Sequence, residues 1–199
     1  MHPNPLFRSE DRELFEMLIE QIGFGMVFMT TPDGPRVAHT PLLSTGDGAL
    51  QFHLSRGNAL TRHLDGATAL VTVNGPDAYV SPRWYDDRDT VPTWDYVALE
   101  MEGRVRQMED EGLEALLYTL IERQEGRLEG APWTAQETSE ALWSKLTRGI
   151  TGFEMEVLAW RPTFKLSQKR SPQERERIAA GLEHSGSPAL AQLMRNLAR

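Results

Sequence analysis

The sequence predicts an α+β protein in which short antiparallel strands close into a barrel, with helices flanking it and following it. Two observations carry this. Between residues 24 and 108, brief apolar runs alternate with turn signals such as PDGP, STGDG and NGP, the texture of antiparallel strands. Outside that region, apolar residues recur at helical spacing around 10–22, 113–121 and 187–197.

Taken in order, the first helix runs from Glu10 to Ile22. Ser9 is its expected cap, acidic residues suit its first turn, and Leu14, Phe15, Leu18, Ile19 and Ile22 form one stripe. Strands follow at 24–30, 36–43 and 49–54, then one or two helical turns within 57–64. The β-branched run 69–73 reads as a fourth strand ended by NGP, and 78–84 and 96–108 supply two more. Leu113, Leu116, Leu117, Leu120 and Ile121 mark a helix after Asp110. Thr134 to Glu137 reads as a capping box opening another helix, with Leu142 and Leu146 facing inward. Residues 153–160 alternate as a last strand. Ser171 to Glu174 is a second capping box with Pro172 at the favoured first position, and Ser187-Pro188 starts a final helix.

The bulk numbers exclude several classes. The chain has 199 residues, 40% hydrophobic and 25% charged, as ordinary globular proteins are. It has no cysteine, which removes disulfides and thiolate metal sites. No apolar run is long enough to span a membrane and the N-terminus carries no signal-type apolar core, so the expected compartment is the cytoplasm. His39, His53 and His63 match no standard metal spacing, and there is no GxGxxG, Walker loop, HExxH or GxSxG. No residue stands out as a general acid, base or nucleophile. The net charge of −8 disfavours nucleic acid at long range. The stretch 161–177 reverses that sign locally, with Arg161, Lys165, Lys169, Arg170, Arg175 and Arg177 against Glu174 and Glu176.

Three polar or aromatic stretches invite a functional reading. In HTPLLSTGDGALQFHLSRGN (39–58), Gln51 and His53 share one strand face, and Phe52 and Leu54 the other. Ser55, Arg56, Gly57 and Asn58 then form either a phosphate cradle, helped by the amides of the following helical turn, or a polar loop with Asn58 as a helix cap. The aromatic run 78–96 is either a wall for a flat ligand or a loop pinned by its rings. In FKLSQKR (164–170), Lys165, Ser167, Gln168 and Arg170 either meet an anion or a partner chain, or form a solvated strand end.

The run from His39 to Asn58, SPRWY at 81–85, VPTWDY at 91–96 and FKLSQKR at 164–170 together resemble the PaiB-type family of negative transcriptional regulators, relatives of the FMN-binding split barrels typified by pyridoxamine phosphate oxidase. The resemblance spans roughly Met1 to Ile178. The family reads VPTWNY where this chain has Asp95, KLSQNR where it has Lys169, and Pro where it has Ala59.

The resemblance implies an antiparallel split β-barrel that dimerises, with FMN in a groove between subunits. It maps the flavin ring onto His39, Thr40, Pro41 and Leu42, and the phosphate onto His53, Ser55, Arg56 and Asn58. Trp84, Trp94, Lys165, Ser167, Gln168 and Arg170 complete the expected cofactor set. Residues 1–170 are expected to form the FMN-binding barrel domain, and 171–199 a helical extension docked on the barrel or on the partner subunit. Three functions follow: a flavin-linked regulator acting on DNA or on a regulatory protein, a flavin-dependent oxidoreductase of small molecules, or a split barrel that binds haem through a histidine.

Overall fold

The computed structural model describes residues 2–197. Asp11, rather than Ser9, caps the first helix: its Oδ1 accepts from the Leu14 amide at 3.1 Å, while the Ser9 hydroxyl accepts from the Asp11 amide. Helix α1 (Arg12–Ile22) buries Leu14, Phe15, Leu18 and Ile19 of the expected stripe, while Ile22 at its end is only half-buried. Then come β1 (Phe24–Thr31), β2 (Gly34–Ser44), β3 (Ala49–Ser55), the single-turn α2 (Thr61–Leu64) and β4 (Thr68–Val80). A 3-10 turn at Pro82–Trp84 leads to β5 (Thr93–Gln107), α3 (Asp110–Glu125), α4 (Glu140–Thr147) and β6 (Ile150–Lys165). Helices α5 (Pro172–His184) and α6 (Pro188–Leu197) end the chain.

The strands close into a barrel in the order β1-β2-β3-β6-β5-β4. Its antiparallel ladders include β1 with β2 and β3 with β6. This is the α+β barrel that the alternating texture predicts.

Three local expectations change. The NGP signal does not end a strand: β4 runs through Asn74, Gly75 and Pro76. Gly75 is there for closeness rather than for turning, because a Cβ on it would stand 3.0 Å from Cβ of Val97. Thr134 and Glu137 do form a capping box, but around a 3-10 turn (Ala135–Glu137); α4 starts later, capped by the Ser139 hydroxyl. Leu142 and Leu146 face outward, 47% and 60% exposed, since α4 buries none of its residues.

Contacts divide the chain into two units. One comprises Glu16–Val73 and Met101–Trp160. Its interior holds Val27, Leu50, Phe52, Val71, Met101, Phe153 and Met155, all buried. Phe52 and Phe153 are cross-strand partners with rings stacked 5.6 Å apart. The other unit comprises Met1–Phe15, Asn74–Glu100 and Arg161–Arg199. There Ser171 caps α5 in the expected capping box, and Ile178, Ala179, Leu182, Leu190, Ala191 and Met194 are buried in the α5–α6 pair. Arg195 ties α6 to α5 through Glu176 and Glu183.

Candidate functional site

The hairpin opens where its second half ends. The β2–β3 ladder pairs Ser44 with Leu50, Leu43 with Gln51 and Leu42 with Phe52, and stops there. The next residue of β2 is Pro41, which has no N–H to continue the ladder. In its place the buried Thr40 hydroxyl donates to the His53 carbonyl at 2.7 Å. β2 keeps β1 as its ladder partner here, with His39 opposite Met26 and Thr40 opposite Gly25. The exposed His39 ring lies parallel to Phe24 at 6.5 Å, and Phe24 is 49% exposed.

His53 stands at this opening. Its Nδ1 is buried and has no hydrogen-bond partner among the described residues. Burial pushes its imidazole below the ordinary value of 6.5, so the ring is neutral near pH 7. A buried polar atom without a partner costs stability, and a ligand that supplied one would recover it.

The following loop is tightly tied. The Arg56 amide donates to the Gly149 carbonyl at 2.9 Å, and its Nε donates to the Arg148 carbonyl at 2.7 Å. Asn58 Oδ1 accepts from the Leu60 amide at 2.9 Å, and the Asn58 carbonyl accepts from Thr61. Asn58 thus occupies the amides of Leu60 and Thr61 at the entrance to α2, and those two are not free to face an anion. Among the described residues, the Ser55 hydroxyl, the terminal nitrogens of Arg56 and the Asn58 side-chain NH₂ remain as donors at this end of the strand. Arg56 also lines a cavity of about 460 Å³ with Arg148 and the carboxylates of Asp110, Glu111, Glu114 and Glu140.

The remaining expected residues lie in the other unit, in two groups. In the first, Lys165, Ser167, Gln168 and Arg170 line a cavity of about 230 Å³ with Tyr85 and Asp95. Each makes a contact within the unit. The Lys165 ammonium donates to Thr93 Oγ1 and the Trp94 carbonyl, and lies 3.6 Å from Asp95 Oδ1. Ser167, in the left-handed region at φ 56°, donates to Asp95 Oδ2 at 2.5 Å. Gln168 Oε1 accepts from the Leu166 amide, and its NH₂ donates to the Phe164 carbonyl. Arg170 lies 3.7 Å over the Tyr85 ring and 3.6 Å from Glu174. The second group is Trp84 and Trp94, which share a different cavity with Asp77 and Tyr79. Sequence reading missed Asp77, and took Tyr79 only as part of the aromatic run 78–96. Their signal is the alternation at the end of β4, where exposed Asp77 and Tyr79 alternate with buried Ala78 and Val80.

FMN needs hydrogen-bonding groups along one edge of its ring and donors at its phosphate. The orphaned His53 Nδ1, the terminated ladder beside Thr40 and Pro41, and the donors of Ser55, Arg56 and Asn58 meet those needs.

A closed six-stranded antiparallel barrel whose β2–β3 ladder parts before Pro41, with flanking helices, is a split-barrel protein. Residues 1–159 match the family described as "Putative FMN-binding domain", and the chain belongs to that family. The cofactor of the family is FMN, as the resemblance implied. The chain is 28% identical to the protease synthase and sporulation protein PAI 2 of Bacillus subtilis, over 94% of this chain and 91% of that one, in line with the PaiB-type resemblance. Among solved structures, the FAD and haem binding protein from Mycobacterium smegmatis shares the fold at 20% identity and a TM-score of 0.59, over 87% of this chain and 79% of that one. A 5-nitroimidazole antibiotic resistance protein from Bacteroides thetaiotaomicron, itself a provisional assignment, does so at 15% identity and a TM-score of 0.54, over 81% and 92%. No helix among the described residues is long and apolar enough to cross a membrane.

Proposed function

We propose that the chain is a homodimer that holds FMN at the opened hairpin, in a groove between subunits, and uses the bound flavin in negative transcriptional regulation. The observation that carries the flavin reading is the buried, unpartnered Nδ1 of His53 where the β2–β3 ladder ends. His39, Thr40, Pro41 and Leu42 would offer their backbone along the ring, and His53, Ser55, Arg56 and Asn58 would meet the phosphate. When bound, FMN supplies electron or hydride transfer.

The regulatory half is supported by the PaiB-type resemblance and by the relative whose name refers to protease synthesis and sporulation. The basic segment offers less to a DNA backbone than its composition suggests. Lys165 is held by Thr93 and Trp94, Arg170 by Tyr85 and Glu174, and Arg177 by Asp86. A protein partner suits this surface better.

The test is the absorbance spectrum after FMN addition and desalting. Retained flavin bands support the reading, a Soret band would transfer it to haem, and neither would overturn it. Light scattering that finds only monomer at micromolar concentration would remove the dimer.

A further inference from the structure

Trp84 and Trp94 line a cavity of about 610 Å³, within the roughly 300–1,000 Å³ range of small-molecule sites. Tyr79 is 48% exposed and Trp94 51%, two large rings left largely in water on neighbouring positions. They meet edge to face, with centroids 6.3 Å apart and planes at 69°.

The two indoles are fixed rather than loose. The Trp94 indole donates to Asp77 Oδ1 at 2.8 Å, and its carbonyl is held by Lys165. Trp84 lies flat against Gly181 of α5, where a Cβ would come within 2.3 Å of its Cε2. Its carbonyl accepts from Arg177. A ring ligand would therefore meet aromatic surface already in place, with little side-chain freedom left to lose. Among the described lining residues Arg83 is the one cation, and the one anion, Asp77, already accepts from the Trp94 indole.

We propose that this cavity binds a small molecule made of a planar aromatic ring and an anionic group, the ring against Trp94 and Tyr79 and the anion at Arg83. Mononucleotides and aromatic carboxylates share that chemistry. The site does not depend on the flavin reading.

Isothermal titration of the whole protein, with one equivalent of FMN present, tests it with two probes, AMP and 2-naphthoate. Binding of either supports the site and tells the two sources apart; binding of neither overturns it. Trp94→Ala and Tyr79→Ala should each weaken the bound probe roughly tenfold or more, the scale of one lost stacking partner. Trp94→Phe should recover most of that loss, which separates stacking from misfolding. Arg83→Ala should weaken AMP but not adenosine, and equal losses would remove the anion from the proposal. If the Trp94 and Tyr79 variants lose FMN binding instead, the cavity belongs to the flavin and the proposal fails.

Discussion

Ser167 donates a 2.5 Å hydrogen bond to Oδ2 of Asp95, a carboxylate with no exposed surface. The serine adopts the left-handed backbone to do so, which a non-glycine residue enters only at some cost. Lys165 faces the other oxygen. This cluster holds the start of β5 against the end of β6, and it sets the first expectation.

Burial pushes the Asp95 carboxyl above its ordinary value of 3.8, and its bonds to Ser167 and Lys165 offset only part of that. The folded state therefore keeps this proton to higher pH than the unfolded chain does. Asp95 contributes most favourably below 3.8, and that contribution falls as pH rises through the raised folded value. Urea unfolding across acidic pH should show this decline, and Asp95→Asn should flatten it. An unchanged profile in the variant would show that the carboxylate is not desolvated.

Lys165→Met should cost about 3–5 kcal/mol, because it leaves Asp95 buried without its cation. Adding Asp95→Asn should recover part of that loss. Chemical denaturation of the four proteins gives the coupling directly, and additive losses would mean that the 3.6 Å pair carries no interaction.

His53 gives a second pH signature. Its folded value lies below 6.5, so the unfolded state binds the proton first as pH falls below 6.5. Stability should decrease through that window and level off below the folded value. His53→Phe should remove this decrease and weaken FMN more than riboflavin, since the resemblance places His53 at the phosphate. Thermal melts with and without FMN measure both effects.

Arg56→Ala should weaken FMN by about 1.5–3 kcal/mol, the worth of a charge-assisted hydrogen bond, and weaken riboflavin less. Its Nε also holds the Arg148 carbonyl, so some loss of stability should accompany it. Fluorescence titration with both ligands separates the roles: equal losses would make Arg56 a tie between its loop and the residues after α4, not a phosphate ligand.

The sequence by itself determined the α+β barrel, the α5 capping box at Ser171, the in-out alternation of Phe52 and His53, and the family. Each is a local period or a short motif, and local backbone physics makes it readable. Even locally, NGP misled, because Gly75 serves a neighbouring strand that its own segment does not contain. Only the tertiary structure decided what the polar side chains of FKLSQKR do. Ser167 meets Asp95 and Lys165 meets Trp94 across 72 and 71 residues, and Arg56 meets Arg148 across 92. The same holds for Leu142 and Leu146, whose helical spacing is apolar but whose helix buries nothing. Periodicity shows that a face is apolar or that a side chain can donate. Which residue comes to meet it is set by strand closure, and nothing in the neighbouring sequence encodes that.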